Sequence, residues 1–216
     1  MIKLLQKNIF VNQISNLNIM SVVRDTPEET LRIAKACFKG GVKSIEISFT
    51  IPTALKTIEL VQKNLPEMLI CAGTVLDQTT ARLAILSGAK LILSPAFSQE
   101  VAQICNLYQI PYAPGCNSVS EITTALKAGA SFIKIFPGSS IGGVKEIKTI
   151  TTPIPYIPIL ISGGATKENY QEFLRAGADC VSFGSALNGS SDNITNNAIM
   201  LNEILKNYRS KKGEKR

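Results

Sequence analysis

The chain has 216 residues, of which 45% are hydrophobic and 18% are charged, and it contains no histidine. This length and apolar content suit one compact domain with a substantial core, and they exclude wholesale disorder. Without histidine, the chain can form neither a Ser-His-Asp or Cys-His nucleophile system nor a histidine-ligated zinc or iron site. Acid–base chemistry is therefore left to Lys, Glu, Asp, Tyr and Cys.

The net charge of +7 is concentrated at the C-terminus. Six of the eleven residues from Lys206 to Arg216 are basic and one is acidic. Such a segment is typical of a solvated helix end or a frayed tail, and binding to an acidic partner is the alternative. We predict a disordered basic tail over residues 209–216. We also predict no nucleic-acid binding, because aromatic residues do not alternate with the basic ones.

Cysteine usage and hydropathy indicate the compartment. The five cysteines are an odd number without a CxxC pair, which is typical of free, reduced thiols in a cytoplasmic protein. The N-terminal residues lack the long apolar stretch of a signal peptide, and no apolar run is long enough to span a bilayer. We therefore expect a cytoplasmic protein without membrane contact.

Short apolar or β-branched runs alternate with segments of helical spacing along the whole chain. The predicted strands are Met20–Val23, Ser44–Ser48, Leu69–Ala72, Leu91–Leu93, Pro111–Ala113, Phe132–Phe136, Ile157–Ile161 and Cys180–Phe183. The predicted helices are Pro27–Lys39, Pro52–Asn64, Gln78–Leu86, Gln99–Tyr108, Val119–Lys127, Val144–Ile150, Lys167–Arg175 and Asn196–Tyr208. Eight such units predict an α/β protein with a (β/α)8 TIM barrel. An open doubly wound sheet is the alternative, disfavoured because no GxGxxG follows the first strand.

The segment 1–18 precedes the first strand and carries apolar residues at near-helical spacing. It predicts an extra N-terminal helix that caps the bottom of the barrel. No linker or low-complexity segment divides the chain, so we predict a single TIM-barrel domain over residues 1–216.

Two charged residues lie inside apolar strands. In Ser44–Ser48 the period of two directs Ile45 and Ile47 to one face and Glu46 to the other, and Lys134 alternates in the same way with its isoleucine neighbours. Both strands are even-numbered, and alternate strands of a barrel contribute to common interior layers. The two residues are therefore expected to meet inside the barrel. A buried ion pair that only stabilises the fold is the simpler interpretation.

The chemical interpretation assigns Lys134 and Glu46 as a catalytic pair. An amine held among apolar groups is desolvated, which favours the neutral form that attacks a carbonyl. A nearby carboxylate can carry protons during imine formation and C–C bond cleavage. No metal or other cofactor is expected.

Loops at the carboxyl ends of the predicted strands supply candidate ligands. Ser162-Gly163-Gly164 follows strand seven and Gly184-Ser185 follows strand eight, where barrels often bind phosphate through backbone N–H groups. Tight turns alone would explain each loop separately. Arg24, after strand one, could clamp a carboxylate, or form a rim salt bridge instead. Thr50, Thr74 and Pro95 lie on the same expected rim.

In their order and spacing, these motifs resemble those of the 2-keto-3-deoxy-6-phosphogluconate (KDPG) / 4-hydroxy-2-oxoglutarate (KHG) aldolase family over residues 18–190. The resemblance rests on Gly40-Gly41-Val42, Ile45-Glu46-Ile47, Ala72-Gly73-Thr74-Val75, Ser94-Pro95, Pro114-Gly115, Ile133-Lys134-Ile135-Phe136-Pro137, Gly142-Gly143-Val144-Lys145 and Gly163-Gly164.

The resemblance implies a homotrimeric class I aldolase without a metal. It implies that Lys134 forms the imine, that Glu46 transfers protons, that Thr74 contacts the pyruvate carboxylate and that Phe136 packs beside the imine. Gly163, Gly164 and Ser185 match the family's phosphate-binding positions. The implied reaction cleaves KDPG to pyruvate and glyceraldehyde 3-phosphate. KHG, which would give pyruvate and glyoxylate, is a second candidate substrate.

The chain departs from the family's pattern at several positions that bear on substrate preference. Many members carry Arg where this chain has Thr50, and others pair a Thr there with an Arg after strand one, as Arg24 is here. Ala96, Ile161, Ser162 and the Asn117-Ser118 pair also differ from the usual residues. None of these changes removes a catalytic atom.

Two other functions remain open. One is another phosphate-binding TIM-barrel enzyme, such as a sugar-phosphate epimerase or synthase, which would share the glycine loops and need no imine. The other is a non-catalytic barrel that binds a phosphorylated metabolite. A covalent adduct at Lys134 would distinguish the aldolase from both.

Overall fold

The computed structural model describes residues 5–138 and 143–213. Eight parallel strands form one sheet in the order β5-β4-β3-β2-β1-β8-β7-β6. The strands are β1 Ile19–Val23, β2 Ser44–Ser48, β3 Leu69–Gly73, β4 Leu91–Ser94, β5 Tyr112–Pro114, β6 Ile133–Ile135, β7 Ile159–Ser162 and β8 Cys180–Phe183. A parallel bridge between Gly115 and Lys134 joins β5 to β6 and nearly closes the sheet. The architecture is thus the predicted (β/α)8 TIM barrel rather than an open sheet.

Helices alternate with the strands and surround the barrel. They are α1 Gln6–Leu17, α2 Pro27–Lys39, α3 Ala54–Asn64, α4 Gln78–Leu86, α5 Gln99–Tyr108, α6 Val119–Lys127, α7 Gly143–Thr151, α8 Lys167–Ala176 and α9 Ser191–Gly213. Side-chain caps start several of them where the sequence places Ser, Thr or Asp: Thr26, Asp77, Ser98, Ser118 and Thr166 each accept a hydrogen bond from a first-turn N–H. Within the described ranges, no helix has the length and apolarity needed to cross a membrane.

The period-two alternation of the strands divides the buried apolar residues into two cores. The outer core lies between the sheet and the helices and includes Ile45, Ile47, Ile133 and Ile135, all 0% exposed. The inner core fills the barrel below the carboxyl ends of the strands. It consists of Ile14, Met20, Leu69, Cys71, Leu91, Leu93, Ala113, Phe132, Leu160 and Cys180. The barrel interior is therefore packed at its lower end.

Helix α1 closes the amino-terminal end of the barrel. Ile14 is 1% exposed and belongs to the inner core, against which Val11 and Leu17 also pack. Lys7 Nζ donates hydrogen bonds to Asn106 Oδ1 at 2.8 Å and to the Gly129 carbonyl at 2.5 Å. The helix lies within the segment 1–18, where the sequence predicts it, and residues 1–4 fall outside the described residues.

The C-terminal segment differs from the sequence-based expectation. Helix α9 begins at Ser191 and continues to Gly213, so residues 209–213 are helical rather than part of a disordered tail. Residues 214–216 fall outside the described residues. Leu201 and Leu205 bury one face of the helix. Arg209 donates to the Asn16 carbonyl at 2.6 Å, which ties the basic end to α1. The basic composition of this segment predicts exposure to solvent, but it does not imply that the helix ends before it.

Candidate active site

Strand register places four interior side chains of the even-numbered strands in one layer. Glu46 lies beside Val22, while Ser182 lies beside Met20, and Lys134 lies beside Leu160. In a barrel with a shear of about eight, residues at the same height on adjacent strands are offset by one residue from the paired register. Because side chains alternate between the two faces, only every second strand directs a side chain inward at a given height, so alternate strands contribute to a common layer. That layer consists of Glu46, Leu93, Lys134 and Ser182.

Lys134 and Glu46 form an ion pair inside the barrel. Lys134 Nζ lies 3.9 Å from Glu46 Oε1, and the two residues are 4% and 1% exposed. The ammonium also lies 5.2 Å from the centroid of the Phe136 ring, within the range of a cation–π interaction. The expected meeting of the two charged residues is confirmed.

Glycine at position 73 provides the space that the Glu46 carboxylate occupies. A Cβ built at Gly73 would overlap Oε1 of Glu46 and would lie 2.5 Å from its Cδ and 2.6 Å from its Cγ. Any larger residue at position 73 would therefore displace the carboxylate from its place beside Lys134.

Three hydroxyl groups form a cluster at the carboxyl ends of β2 and β3. Ser48 Oγ lies 3.1 Å from Thr50 Oγ1 and 3.0 Å from Thr74 Oγ1. Thr74 has a φ of 59°, an uncommon left-handed conformation for a β-branched residue. Thr50 and Thr74 were expected on this rim, whereas Ser48 was not assigned. Its position two residues after Glu46 on the same face of β2 was the signal that could have found it.

The glycine loops after β7 and β8 lie at the same rim. Gly163 and Gly164 have φ values of 88° and 79°, a pair of left-handed conformations that favours glycine. A Cβ at Gly163 would lie 3.6 Å from Phe136 Cδ2, so this loop packs beside the Phe136 ring. Gly184 and Ser185 are exposed. Backbone of this kind can approach a phosphate closely.

The remaining predicted residues lie around the mouth. Arg24 follows β1 directly and is exposed, and it makes no ion pair with any residue that the structure describes. The carbonyl of the half-buried Pro95 packs so closely on Gly115 that a Cβ there would overlap it. Ser162 is 6% exposed at the end of β7. No hydrogen bond or ion pair joins Arg24, Gly184 or Ser185 to Lys134; their common place on the rim follows from the strand ends.

A cavity at the opposite end of the barrel contains none of the predicted site residues. It has a volume of about 470 Å³ and lies between α1 and the amino ends of β2, β3 and β4. Its charged lining residues are Lys43, Glu67 and Lys90. In TIM barrels the chemistry is carried at the carboxyl ends of the strands. The Lys134–Glu46 layer is therefore the better candidate for the active site.

Comparison with known proteins identifies relatives of the chain. The family model "KDPG and KHG aldolase" matches residues 10–203. The chain is 33% identical over 165 residues to a 2-dehydro-3-deoxy-phosphogluconate aldolase of Haemophilus influenzae, covering 76% of this chain and 78% of that protein. It is 31% identical over 198 residues to a 2-dehydro-3-deoxy-6-phosphogalactonate aldolase of Escherichia coli, covering 90% and 96%.

Among solved structures, a KDPG aldolase from Legionella pneumophila with pyruvate captured as a covalent carbinolamine intermediate has a TM-score of 0.77. It is 29% identical, and the match covers 92% of this chain and 95% of that one. The family match spans most of the chain and the fold is shared. The chain therefore belongs to the KDPG and KHG aldolase family of lyases.

Proposed function

We propose that the chain is a class I aldolase that cleaves KDPG to pyruvate and glyceraldehyde 3-phosphate through an imine on Lys134. The observation that carries the proposal is the buried Lys134–Glu46 pair, with Nζ 3.9 Å from Oε1. Burying two opposite charges costs desolvation that apolar residues of the same size would avoid, so a purely stabilising role explains the pair poorly. The covalent pyruvate in the Legionella pneumophila relative supports the same chemistry.

The proposed reaction uses one amine and one carboxylate. The Lys134 ammonium passes a proton to Glu46, and the neutral Nζ attacks the C2 carbonyl of the substrate to form a carbinolamine. Glu46 returns the proton to the carbinolamine hydroxyl, which leaves as water and gives the protonated imine. Glu46 accepts the proton of the C4 hydroxyl while the C3–C4 bond breaks, and the electron pair of that bond moves into an enamine as the aldehyde leaves. Glu46 then returns a proton to C3, and water hydrolyses the imine to release pyruvate. The protonated imine is the electron sink, so the reaction requires no metal or cofactor.

The two ends of the substrate are assigned to different parts of the rim. Thr74, in the hydroxyl cluster with Thr50, is proposed to hold the pyruvate carboxylate, and the exposed Arg24 supplies positive charge. At the other end, the phosphate is proposed to bind the backbone of the loops after β7 and β8. Pro95 and Phe136 are proposed to line the site between these two ends. The phosphate loops consist of Ser162, Gly163 and Gly164 after β7 and of Gly184 and Ser185 after β8.

The glycine loops favour a phosphorylated keto acid over KHG, which carries no phosphate. The kcat/KM of the enzyme should therefore be higher for KDPG than for KHG. Ser185→Ala should lower kcat/KM for KDPG and leave that for KHG unchanged. Equal losses for both substrates would contradict the assignment of Ser185 to the phosphate. Since the Escherichia coli relative is named for the galactonate epimer, both C4 epimers should be compared.

Borohydride trapping with pyruvate tests the mechanism directly. The wild-type chain should gain the mass of one reduced pyruvate adduct, and peptide mapping should place it on Lys134. Lys134→Met should gain none, while Lys35→Met, an exposed lysine of α2, should be labelled as the wild type is. Absence of an adduct on folded wild-type protein would overturn the proposal in favour of an imine-free phosphate-binding enzyme or a metabolite-binding barrel.

We also propose that the chain assembles as a homotrimer. Leu76, Leu83 and Leu86 are 65%, 45% and 63% exposed on α4 and the loop before it. Leu83 also borders a groove of about 260 Å³ lined by Phe49 and other apolar residues. An exposed apolar patch marks an interaction surface, and a ring of three copies would cover it.

Leu83→Glu should shift the mass in light scattering to that of one chain. Tyr156→Glu, at an exposed residue before β7, should not change it. A wild-type mass of one chain would contradict the trimer. We further assign the protein to the cytoplasm, since its five cysteines are buried and unpaired, as in proteins of reducing compartments.

A further inference from the structure

Two polar atoms remain without a partner in the layer that contains Lys134. Glu46 directs Oε1 toward Lys134, but its Oε2 is buried and makes no hydrogen bond with any described residue. Ser182 Oγ is also buried and has no hydrogen-bond partner within the part of the chain that the structure describes, and the residue is 2% exposed. A buried oxygen without a hydrogen bond is costly, and such groups are rare in native proteins.

The chemistry of the two atoms is complementary. An ionised carboxylate only accepts hydrogen bonds, whereas a serine hydroxyl can donate one. Leu93, the fourth member of the layer, has no polar atom. The layer below, formed by Met20, Cys71, Ala113 and Leu160, contains no hydroxyl. Ser182 is thus the hydroxyl donor that shares a layer with Glu46.

The charge of Glu46 reaches the inner face of β8. Burial raises the pKa of Cys180, and Asp179 and Glu46 add to that rise through their negative charge. Cys180 lies two residues before Ser182 on the same inner face of the strand. Glu46 is therefore near enough to the inner face of β8 to influence Cys180.

We propose that Ser182 is a positioning residue for Glu46. Its hydroxyl donates a hydrogen bond to one bridging water, which donates to the Glu46 carboxylate and holds Oε1 toward the reacting carbons. The inference deepens the proposed aldolase function and rests on it. Without that hydrogen bond the carboxylate samples other orientations, and proton transfer slows while imine formation on Lys134 continues.

Solvent exchange of the pyruvate methyl hydrogens isolates the proton-transfer step. Once pyruvate is bound as an imine, a methyl C–H bond breaks, its proton passes to Glu46 and its electron pair enters the enamine. Return of a deuteron from D2O completes the exchange. Imine occupancy is measured in parallel by borohydride trapping, so the exchange rate can be expressed per mole of imine.

The yield of trapped pyruvate in Ser182→Ala should lie within about twofold of the wild-type yield. The exchange rate of the methyl hydrogens should be about tenfold lower than in the wild type. Ser21→Ala is the matched control, because Ser21 is a 0% exposed serine of the adjacent strand β1 that faces Cys37 of the outer core. It should change neither quantity by more than about twofold.

Exchange at the wild-type rate in Ser182→Ala would overturn the inference. So would equal losses of trapping and exchange, since that pattern indicates general damage to packing. If Ser182→Ala does not fold, Ser182→Cys keeps a similar volume with a weaker donor and should show the same selective loss of exchange. Failure of the wild type itself to trap pyruvate would instead overturn the proposed function.

Discussion

Replacing Lys134 by Met should destabilise the fold, whereas replacing Lys134 and Glu46 together by Met should not. The single change leaves a 1% exposed carboxylate in the barrel interior without its counter-charge. The double change removes both charges and fills the same space with apolar side chains. Buried ion pairs often behave in this way, because desolvation offsets most of their attraction.

The geometry sets the magnitude. At the 3.9 Å separation of Lys134 Nζ and Glu46 Oε1, the Coulomb attraction is about 4 kcal/mol for an effective dielectric constant of about 20. Removal of one partner from a buried pair typically costs about 3–5 kcal/mol. For a domain of this size, 1 kcal/mol corresponds to about 2 °C in melting temperature. Lys134→Met should therefore melt about 8 °C below the wild type, and the double variant within about 2 °C of it or above.

Thermal denaturation measures the melting temperatures and guanidinium denaturation the free energies of unfolding, both at pH 7 and at one fixed protein concentration. The concentration is fixed because assembly makes stability depend on it. Lys35→Met, on the exposed side of α2, should change the free energy of unfolding by no more than about 0.5 kcal/mol. The reasoning fails if Lys134→Met is as stable as the wild type. It also fails if the double variant is no more stable than Lys134→Met.

Two further substitutions and one pH dependence test other parts of the structure. Gly73→Ala should lower kcat about tenfold to a hundredfold by displacing the Glu46 carboxylate, yet have little effect in a Glu46→Ala background; equal losses in both backgrounds would contradict this. Asp77→Ala should cost about 1 kcal/mol in denaturation, because Asp77 caps α4 by accepting from Thr80 N at 2.8 Å. The hydrogen bonds from Thr80 hold the pKa of Asp77 in the folded state below its ordinary value. The stabilisation by the cap is therefore complete above the pKa of the unfolded state and is lost as pH falls through the lowered pKa of the folded state. A destabilisation by Asp77→Ala that persists at low pH would contradict this. Burial raises the pKa of Cys37 to about 11. Between the ordinary thiol pKa and about 11 only the unfolded thiol ionises, so the free energy of unfolding should fall as pH rises through this range. A thiol reagent should modify Cys37 only after unfolding.

Much of the barrel could be predicted because its signals are local. The bounds of α2, α4, α5, α6, β2 and β8 agree with the predicted ones, since each has a clear period and, for the helices, flanking cap residues. Helix α9 was misjudged because its polar and basic ends have no apolar period of their own. Its final turns are held by contacts such as that from Arg209 to Asn16, 193 positions apart in the chain.

In the active site, alternation within a strand determines which face a side chain occupies. That local rule alone directs Glu46 and Lys134 into the barrel. The distance between them depends on register across strands that are far apart in sequence, which no local pattern encodes. Tertiary structure therefore decided the 3.9 Å separation, the space at Gly73 and the hydroxyl cluster around Ser48. It also decided that Ser182 shares a layer with the reactive pair, because no role can be assigned to a serine in a strand until the residues beside it in space are known.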